Sequence, residues 1–115
     1  MNKNRKKLIC LDLDGVLNTY HGNYDPLVIS PPKEGVRDFL KNLSEQFIID
    51  IFTVRDRELV WNWLKQYDLY YFINNVTNTK NKYSTLILDD RAITFDGDYM
   101  EAYQKILIFK PYWEK

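Results

Sequence analysis

The sequence has few of the residues that cross-link or metallate small proteins. Its 115 residues include one cysteine, Cys10, so no internal disulfide can form and a reducing, cytoplasmic location is expected. The only histidine is His21, which excludes metal sites and catalytic schemes that need two histidines. Sixteen basic residues balance sixteen acidic ones, so the chain has no overall field that attracts nucleic acid or an anionic membrane.

Long apolar runs are also missing. No stretch approaches the roughly 20 apolar residues that a membrane-spanning helix needs. The basic segment 1–7 precedes an apolar run that Asp12 and Asp14 interrupt at once, so it lacks the signal-peptide pattern and is interpreted as a solvated lead-in. What is present, 45% hydrophobic and 16% aromatic residues, suffices for one globular domain over residues 1–115.

Short apolar runs alternate with segments of helical periodicity. Leu8–Leu11 is a continuous apolar run, typical of a strand buried on both faces. Residues 15–33 show no period and predict a flap. We predict strands at 8–11, 47–53, 70–76, 86–88 and 106–109, with helices entered at 30–32, 56 and 96–98. The alternation predicts an α/β fold, a three-layer α/β/α sandwich with a mostly parallel five-stranded sheet.

Polar residues follow three of the predicted strands. They are Asp12 and Asp14, then Thr53 and Arg55, then Asp89 and Asp90. Ligands of open parallel sheets bind beyond the carboxyl ends of the strands, so these side chains are expected at one edge. A turn at Gly15 would bring the first two carboxylates together, and converging carboxylates with a compact oxygen set favour Mg²⁺. The alternative interpretation is a cluster of solvated acids that cap turns.

The stretch Asp12-Leu13-Asp14-Gly15-Val16-Leu17 resembles the first motif of the haloacid dehalogenase (HAD) superfamily. Thr53 resembles its second motif and Leu88-Asp89-Asp90 its fourth, and the segment 86–97 is similar to small capless HAD phosphatase-like proteins. The resemblance extends over residues 7–109. It implies a Rossmann-like fold, and no cap domain fits into residues 15–33 or 53–80.

The resemblance further implies a Mg²⁺-dependent phosphomonoesterase. Asp12 would attack phosphorus and form an aspartyl-phosphate, while Asp14 would protonate the leaving group and then deprotonate water. Mg²⁺ would be held by the Asp12 side chain, the Asp14 backbone carbonyl and Asp89. Asp90 would support these ligands without contacting the metal, or would act through a metal-bound water. Thr53 would donate a hydrogen bond to the phosphoryl group.

The third motif departs from the family pattern. The family's lysine is expected eight residues before the acidic pair, where this chain has Asn81 and lacks the usual proline. Lys80 and Lys82 flank that position, and we expect one of them, with Lys80 preferred, to neutralise the phosphate. If neither reaches the site, hydrolysis is expected to be weak.

Other residues are candidates for substrate contacts. In the flap these are Tyr20, His21, Asn23 and Tyr24, whose alternative role is turn and surface packing. Arg55 is expected to pair either with a substrate anion or with a local acid, and Arg91 to secure its own loop. A site without a cap suits a phosphorylated small molecule or polymer end, or closure by a second subunit.

Three other functions remain open. A HAD-like module that binds a phosphorylated partner without hydrolysis fits the irregular third motif. A receiver domain also combines acids, Thr and Lys, but its acidic pair lies on the first strand, whereas Asp89 and Asp90 come late. A phosphatase of nucleic-acid ends suits an open site, although the neutral charge does not favour backbone binding.

Overall fold

The computed structural model describes residues 6–114 and forms an α/β fold with a parallel sheet. Its strands are β1 (Lys7–Asp12), β2 (Phe47–Phe52), β3 (Asn75–Thr77) and β4 (Leu86–Leu88). Its α-helices are α1 (Val36–Ser44), α2 (Arg57–Gln66) and α3 (Tyr99–Ile108), and 3₁₀ turns cover Tyr70–Phe72 and Tyr112–Glu114. Among these residues no helix is both long enough and apolar enough to cross a lipid bilayer.

The strand order places the polar strand ends side by side. The order is β3-β2-β1-β4, with every neighbouring pair parallel. Asp12 is in register with Phe52, and Leu11 with Leu88. The residues that follow these positions therefore leave the sheet at one edge, as the sequence predicts.

One face of the sheet carries the hydrophobic core. Alternate strand residues are buried there against α1 and α2, as expected for a strand with a period of two. The helix predicted after Asp56 is confirmed, since the Asp56 carboxylate accepts a 3.0 Å hydrogen bond from the Leu59 N–H. The core includes Ile9, Leu11, Ile49, Ile51 and Val76 of the strands, Val36, Leu40, Val60, Trp63 and Leu64 of the helices, and Leu13, Leu17, Leu69 and Ile73 of the connecting segments.

The opposite face of the sheet is only partly covered. Ile48 is 38% exposed and Ile87 is 41% exposed. Helix α3 has no buried residue, so it does not form the second helical layer of a closed three-layer sandwich. The described part of the chain is therefore one sheet with a well-packed helical layer on one side.

The predicted fifth strand, 106–109, is wrong. Ile106–Ile108 are the end of α3, and Phe109 follows as its C-terminal cap. Asp98 starts this helix by accepting hydrogen bonds from the N–H groups of Met100 and Glu101. An apolar run of four residues does not distinguish a strand from a helix, and here the cap decides for the helix.

Two other boundaries also differ from expectation. Pro31 and Pro32 lie at the base of the flap, where the Pro31 carbonyl accepts from the Thr19 N–H, and α1 begins only after Gly35. Of the strand predicted over 70–76, Tyr70–Phe72 form a 3₁₀ turn instead, and the observed strand runs from Asn75 to Thr77. The flap itself is confirmed as irregular, with two isolated bridges, Asn18 to Pro32 and Asp25 to Val28.

The lead-in predicted over 1–7 is only partly described. Residues 1–5 lie outside the described residues. Lys6 donates through its Nζ to the Ser44 carbonyl over 2.7 Å, and Lys7 begins β1. The end of the basic segment is therefore part of the fold.

Candidate functional site

Three carboxylates converge at the carboxyl edge of the sheet. Asp12 ends β1, and Asp89 and Asp90 follow β4 directly. One oxygen from each of the three lies within 4.8 Å of the others. The predicted convergence of two strand ends is thus found, with Asp90 as a full member of the cluster.

The crowding of these carboxylates changes the protonation of Asp12. Burial, a side-chain hydrogen bond with Asp90 and the negative charge of the neighbouring carboxylates together raise the pKa of Asp12 from its ordinary value to about 8. Without a cation, the cluster therefore retains a proton near neutral pH. A divalent cation would provide the positive charge that the cluster otherwise takes from this proton.

Asp90 is held on one side and free on the other. Its Oδ2 accepts a 2.6 Å hydrogen bond from the Trp113 indole N–H. Apart from the neighbouring Asp12 carboxyl group, its buried Oδ1 has no hydrogen-bond partner among the described residues. A buried carboxylate oxygen without a partner is costly, so this atom fits a site that receives a cation or a bound water.

Asp14 does not join the carboxylate cluster. Its carboxylate pairs with the buried Arg55 in a bidentate arrangement, with Nε to Oδ2 at 2.9 Å and Nη2 to Oδ1 at 3.1 Å. Asn18 also donates to Asp14 Oδ1 over 3.0 Å. Of the two roles expected for Arg55, the pairing with a local acid is therefore the one observed. The Asp14 carboxylate lies outside the three-carboxylate cluster, and the metal contact predicted for its backbone carbonyl stays a prediction.

Thr53 lies at the end of β2 as expected and is 5% exposed. Its N–H donates to the Thr77 carbonyl over 2.9 Å, which fixes the backbone beside β3. Its Oγ1 accepts from the Arg55 N–H over 3.2 Å. Since that lone pair is engaged, the hydroxyl proton can donate to an anion in the site.

A cavity of about 360 Å³ opens on the cluster. A larger cavity of about 410 Å³ adjoins it at the ends of β2 and β3, and the two share Thr53 and Val54. The only carboxylate lining the larger cavity, Asp56, caps α2. The carboxylate cluster therefore faces the smaller cavity. That cavity is lined by Asp12, Asp14, Tyr20, Tyr24, Phe52, Thr53, Val54, Asp89 and Arg91.

Neither candidate lysine lines this cavity. Lys80 Nζ lies 5.7 Å from the centroid of the Phe52 ring, next to the cavity wall, whereas Lys82 lies over the exposed ring of Tyr83. The cationic residue that does line the cavity is Arg91, which was expected only to secure its loop. Its N–H donates to Asp89 Oδ1 over 2.9 Å. The sequence signal that could have placed Arg91 at the site is its position directly after Asp89 and Asp90.

The flap contributes two of its candidates to the cavity. Tyr20 and Tyr24 line it, and Tyr24 also covers Arg55, whose guanidinium carbon lies 4.6 Å from the ring centroid. His21 points elsewhere and donates from Nδ1 to the Thr19 carbonyl. Sequence reasoning missed Asn18, a fully buried residue that binds Asp14 and accepts from the Gly15 and Tyr20 N–H groups. No local pattern marks it.

We expect the cluster to make the metal-free protein less stable as the pH rises. The folded-state pKa of Asp12, about 8, lies above its ordinary value of 3.8, so the folded state retains a proton that the unfolded state releases between these values. The contribution of the Asp12 proton to the free energy of unfolding is fully present below about pH 4 and is lost as the pH rises through about 8. Relative to Asp12→Asn, the wild-type unfolding free energy should fall by about 2 kcal/mol from pH 5 to 8, since partial exposure screens the charge.

The measurement is urea unfolding in EDTA across this pH range. Asp38→Asn, which changes an exposed acid of α1, is the control and should run parallel to the wild type. Parallel profiles for wild type and Asp12→Asn would show that Asp12 is not a proton-retaining member of the cluster.

The arrangement joins two binding capacities in one cavity. Three carboxylates can hold a divalent cation, and a buried hydroxyl and an arginine at the same cavity can bind an anion. These neighbouring groups could therefore bind an anion and a divalent cation side by side. Comparisons with protein-family models, with curated proteins and with solved structures find no match to this chain.

Proposed function

We propose that this chain is a HAD-like, Mg²⁺-dependent phosphohydrolase that cleaves phosphomonoesters through an aspartyl-phosphate on Asp12. The proposal is carried by one observation: Asp12, Asp89 and Asp90 converge beside Thr53 at the carboxyl edge of a parallel sheet. The resemblance predicts a metal site at this edge, with Asp12 and Asp89 among its ligands and Asp90 in a supporting role. Oxygen-only ligands favour Mg²⁺ over softer metals.

The residues present fit a divalent cation. Asp12 and Asp89 would hold it, with Asp90 contacting it through the unpartnered Oδ1 or through a bound water. When bound, the cation supplies positive charge that offsets the carboxylates and the phosphoryl oxygens. The free Oδ1 of Asp90 supports this fit independently of the motif.

Asp12 acts as the nucleophile and Asp14 as the general acid and base. An Asp12 carboxylate oxygen attacks phosphorus in line, a P–O bond forms, and the bond to the leaving oxygen breaks. Asp14 gives that oxygen a proton and then takes one from the water that attacks the aspartyl-phosphate. The Asp12–phosphorus bond breaks, so that inorganic phosphate leaves and both carboxyl groups return to their starting state.

Thr53 and Arg91 bind the phosphoryl oxygens in this proposal. Both line the cavity, and an arginine fork matches phosphate geometry with two parallel hydrogen bonds. Arg91 thereby takes over the neutralising role that the third motif assigns to a lysine. Lys80, beside Phe52, supplies longer-range positive charge.

The open site and its neighbour suit a substrate that extends beyond its phosphate. The larger cavity continues from Thr53 and Val54 towards Arg57 and Asn75, and its lining is mainly polar. A phosphorylated small molecule or a polymer end could place its remaining polar groups there. Tyr20 and Tyr24 offer aromatic contact on the flap side.

A second candidate function is a module that binds a phosphorylated ligand without hydrolysing it. One observation favours it. Both oxygens of Asp14 are engaged, by Arg55 and Asn18, so this residue must release a hydrogen bond before it can serve as acid or base. If Arg55 does not yield, the site binds phosphate and turns it over poorly.

A phosphatase assay separates the two functions. The wild type is tested with an aryl phosphate, sugar phosphates, nucleotides and a 5′-phosphorylated oligonucleotide, in Mg²⁺ and in EDTA. We expect Mg²⁺-dependent phosphate release, and in Arg91→Ala a roughly 10-fold or greater rise in KM, with Lys82→Ala unchanged. Saturable binding of phosphate with Mg²⁺ but no turnover would favour the binding module, and neither binding nor turnover would overturn both.

A further inference from the structure

Residues 112–114 form a 3₁₀ turn that packs against the candidate site, and we call it the aromatic turn. The Trp113 indole N–H donates to Asp90 Oδ2 over 2.6 Å. The Tyr112 hydroxyl donates to the Gly15 carbonyl over 2.6 Å. Two adjacent side chains thus tie this turn to the acidic pair after β4 and to the loop after β1.

Asp90 is confined by these contacts. A Cβ added at Gly15, whose φ is +85°, would overlap Asp90 Oδ2, so this carboxylate occupies space that only a glycine leaves free. The indole nitrogen lies on the same side, 3.2 Å from that Cβ position. Asp90 is therefore held between the Gly15 backbone and the Trp113 ring.

The two oxygens of Asp90 consequently have different tasks. Oδ2 accepts from the indole N–H, while the buried Oδ1 has no partner among the residues described other than the neighbouring Asp12 carboxyl group. An N–H bonded to one oxygen fixes the plane of a carboxylate and leaves the other oxygen in a defined direction. Asp90 contributes one carboxylate oxygen to the cluster with Asp12 and Asp89, so the orientation of its carboxylate sets the geometry of that cluster.

Trp113 also contacts the flap. Its ring packs edge-on against Tyr20, with 5.6 Å between centroids, and a Cβ at Gly22 would lie 3.3 Å from it. Tyr20 lines the cavity. One indole therefore joins the acidic cluster to the part of the flap that faces a substrate.

We propose that Trp113 is a positioning residue that orients Asp90 for a divalent cation, an inference that rests on the proposed function of this site. It acts through Asp90 and does not touch the reacting atoms. Loss of its N–H leaves Oδ2 without a donor and allows the carboxylate to rotate away from the cluster. The cation then binds more weakly, although the fold is retained.

The test compares Mg²⁺ affinity in the wild type, Trp113→Phe and Tyr112→Phe by calorimetric titration of the full chain. Both variants remove one hydrogen-bond donor from the aromatic turn, but only the first donor reaches a carboxylate. We expect Trp113→Phe to weaken Mg²⁺ binding by about 10-fold or more and Tyr112→Phe by less than about 2-fold. Saturating Mg²⁺ should restore the phosphatase activity of Trp113→Phe.

A second measurement removes the effect of basal stability. The rise in Tm caused by Mg²⁺ is recorded within each variant and should be smaller in Trp113→Phe alone. If the wild type binds Mg²⁺ and both variants bind it equally well, the positioning role is wrong while the proposed function stands. If the wild type binds no Mg²⁺, the metal-dependent function and the positioning role are both overturned.

Discussion

Replacement of Asp12 by asparagine should lower kcat/KM for an aryl phosphate by about 10⁴-fold or more. The amide has the shape of the carboxylate but cannot attack phosphorus, and no other residue of the cavity can replace it. The Asp14 carboxylate is paired with Arg55, and the Asp89 carboxylate accepts a hydrogen bond from the Arg91 backbone N–H. The measurement is steady-state hydrolysis in saturating Mg²⁺, with inorganic phosphate as the readout.

The matched control for this loss is Asp38→Asn. It makes the same chemical change at an exposed position of α1 and should leave kcat/KM within about 2-fold of the wild type. Rapid quenching of the wild type with substrate should also trap phosphate on Asp12, detectable by mass spectrometry. Residual activity of more than a few per cent in Asp12→Asn would show that another group attacks phosphorus.

Replacement of Arg55 by alanine should cost about 3 kcal/mol of unfolding free energy. The Arg55 side chain is 1% exposed and makes two bonds to Asp14 and one, of 2.6 Å, to the Asp25 carbonyl. Its loss leaves a carboxylate and a carbonyl without their donor. Because these bonds join the loop after β2 to Asp14 and Asp25, their loss should also make the flap more susceptible to proteolysis.

Two variants sharpen the Arg55 experiment, which is a urea titration followed by circular dichroism. Arg55→Lys keeps the charge but not the bidentate fork, so about half of the stability loss should remain. Arg57→Ala removes a neighbouring exposed arginine whose one side-chain bond is to Asn75, and it should cost less than about 1 kcal/mol. Equal losses in Arg55→Ala and Arg57→Ala would contradict the structural importance of the buried pair.

The sheet edge could be predicted because the chemistry of strand ends is local. Asp12, Thr53 and Asp89 each follow an apolar run, and parallel neighbours bring their ends together whatever the details of packing. The cap of α2 by Asp56 was equally readable, since one side chain and a nearby N–H decide it. These features depend on few residues close together in sequence.

The partners of the carboxylates could not be predicted in the same way. Arg55 and Asp14 are 41 positions apart, and Trp113 and Asp90 are 23 apart. Whether such residues meet depends on how the flap and the aromatic turn pack, and no periodicity encodes this. The sequence therefore left Arg55 with two possible roles and did not decide whether Trp113 packs on the sheet or contacts a second subunit.

The last apolar run shows the opposite limit. Ile106–Ile108 read as a strand because a parallel sheet needs such runs, yet the helix started by Asp98 continues through them. The pattern of buried positions usually helps to distinguish a strand from a helix. No residue of α3 is buried, so its apolar side chains give no such indication. The local capping signal was stronger than the global expectation of a fifth strand.

The most direct test of this account is a crystal structure of the wild type grown in Mg²⁺ and orthophosphate. We predict one Mg²⁺ ion held by carboxylate oxygens of Asp12 and Asp89 at about 2.1 Å, with Asp90 contacting it directly or through a bound water, and a phosphate within hydrogen-bond distance of Thr53 and Arg91. Carboxylates that turn away from one another, or a cluster that stays without metal at saturating Mg²⁺, would contradict the account.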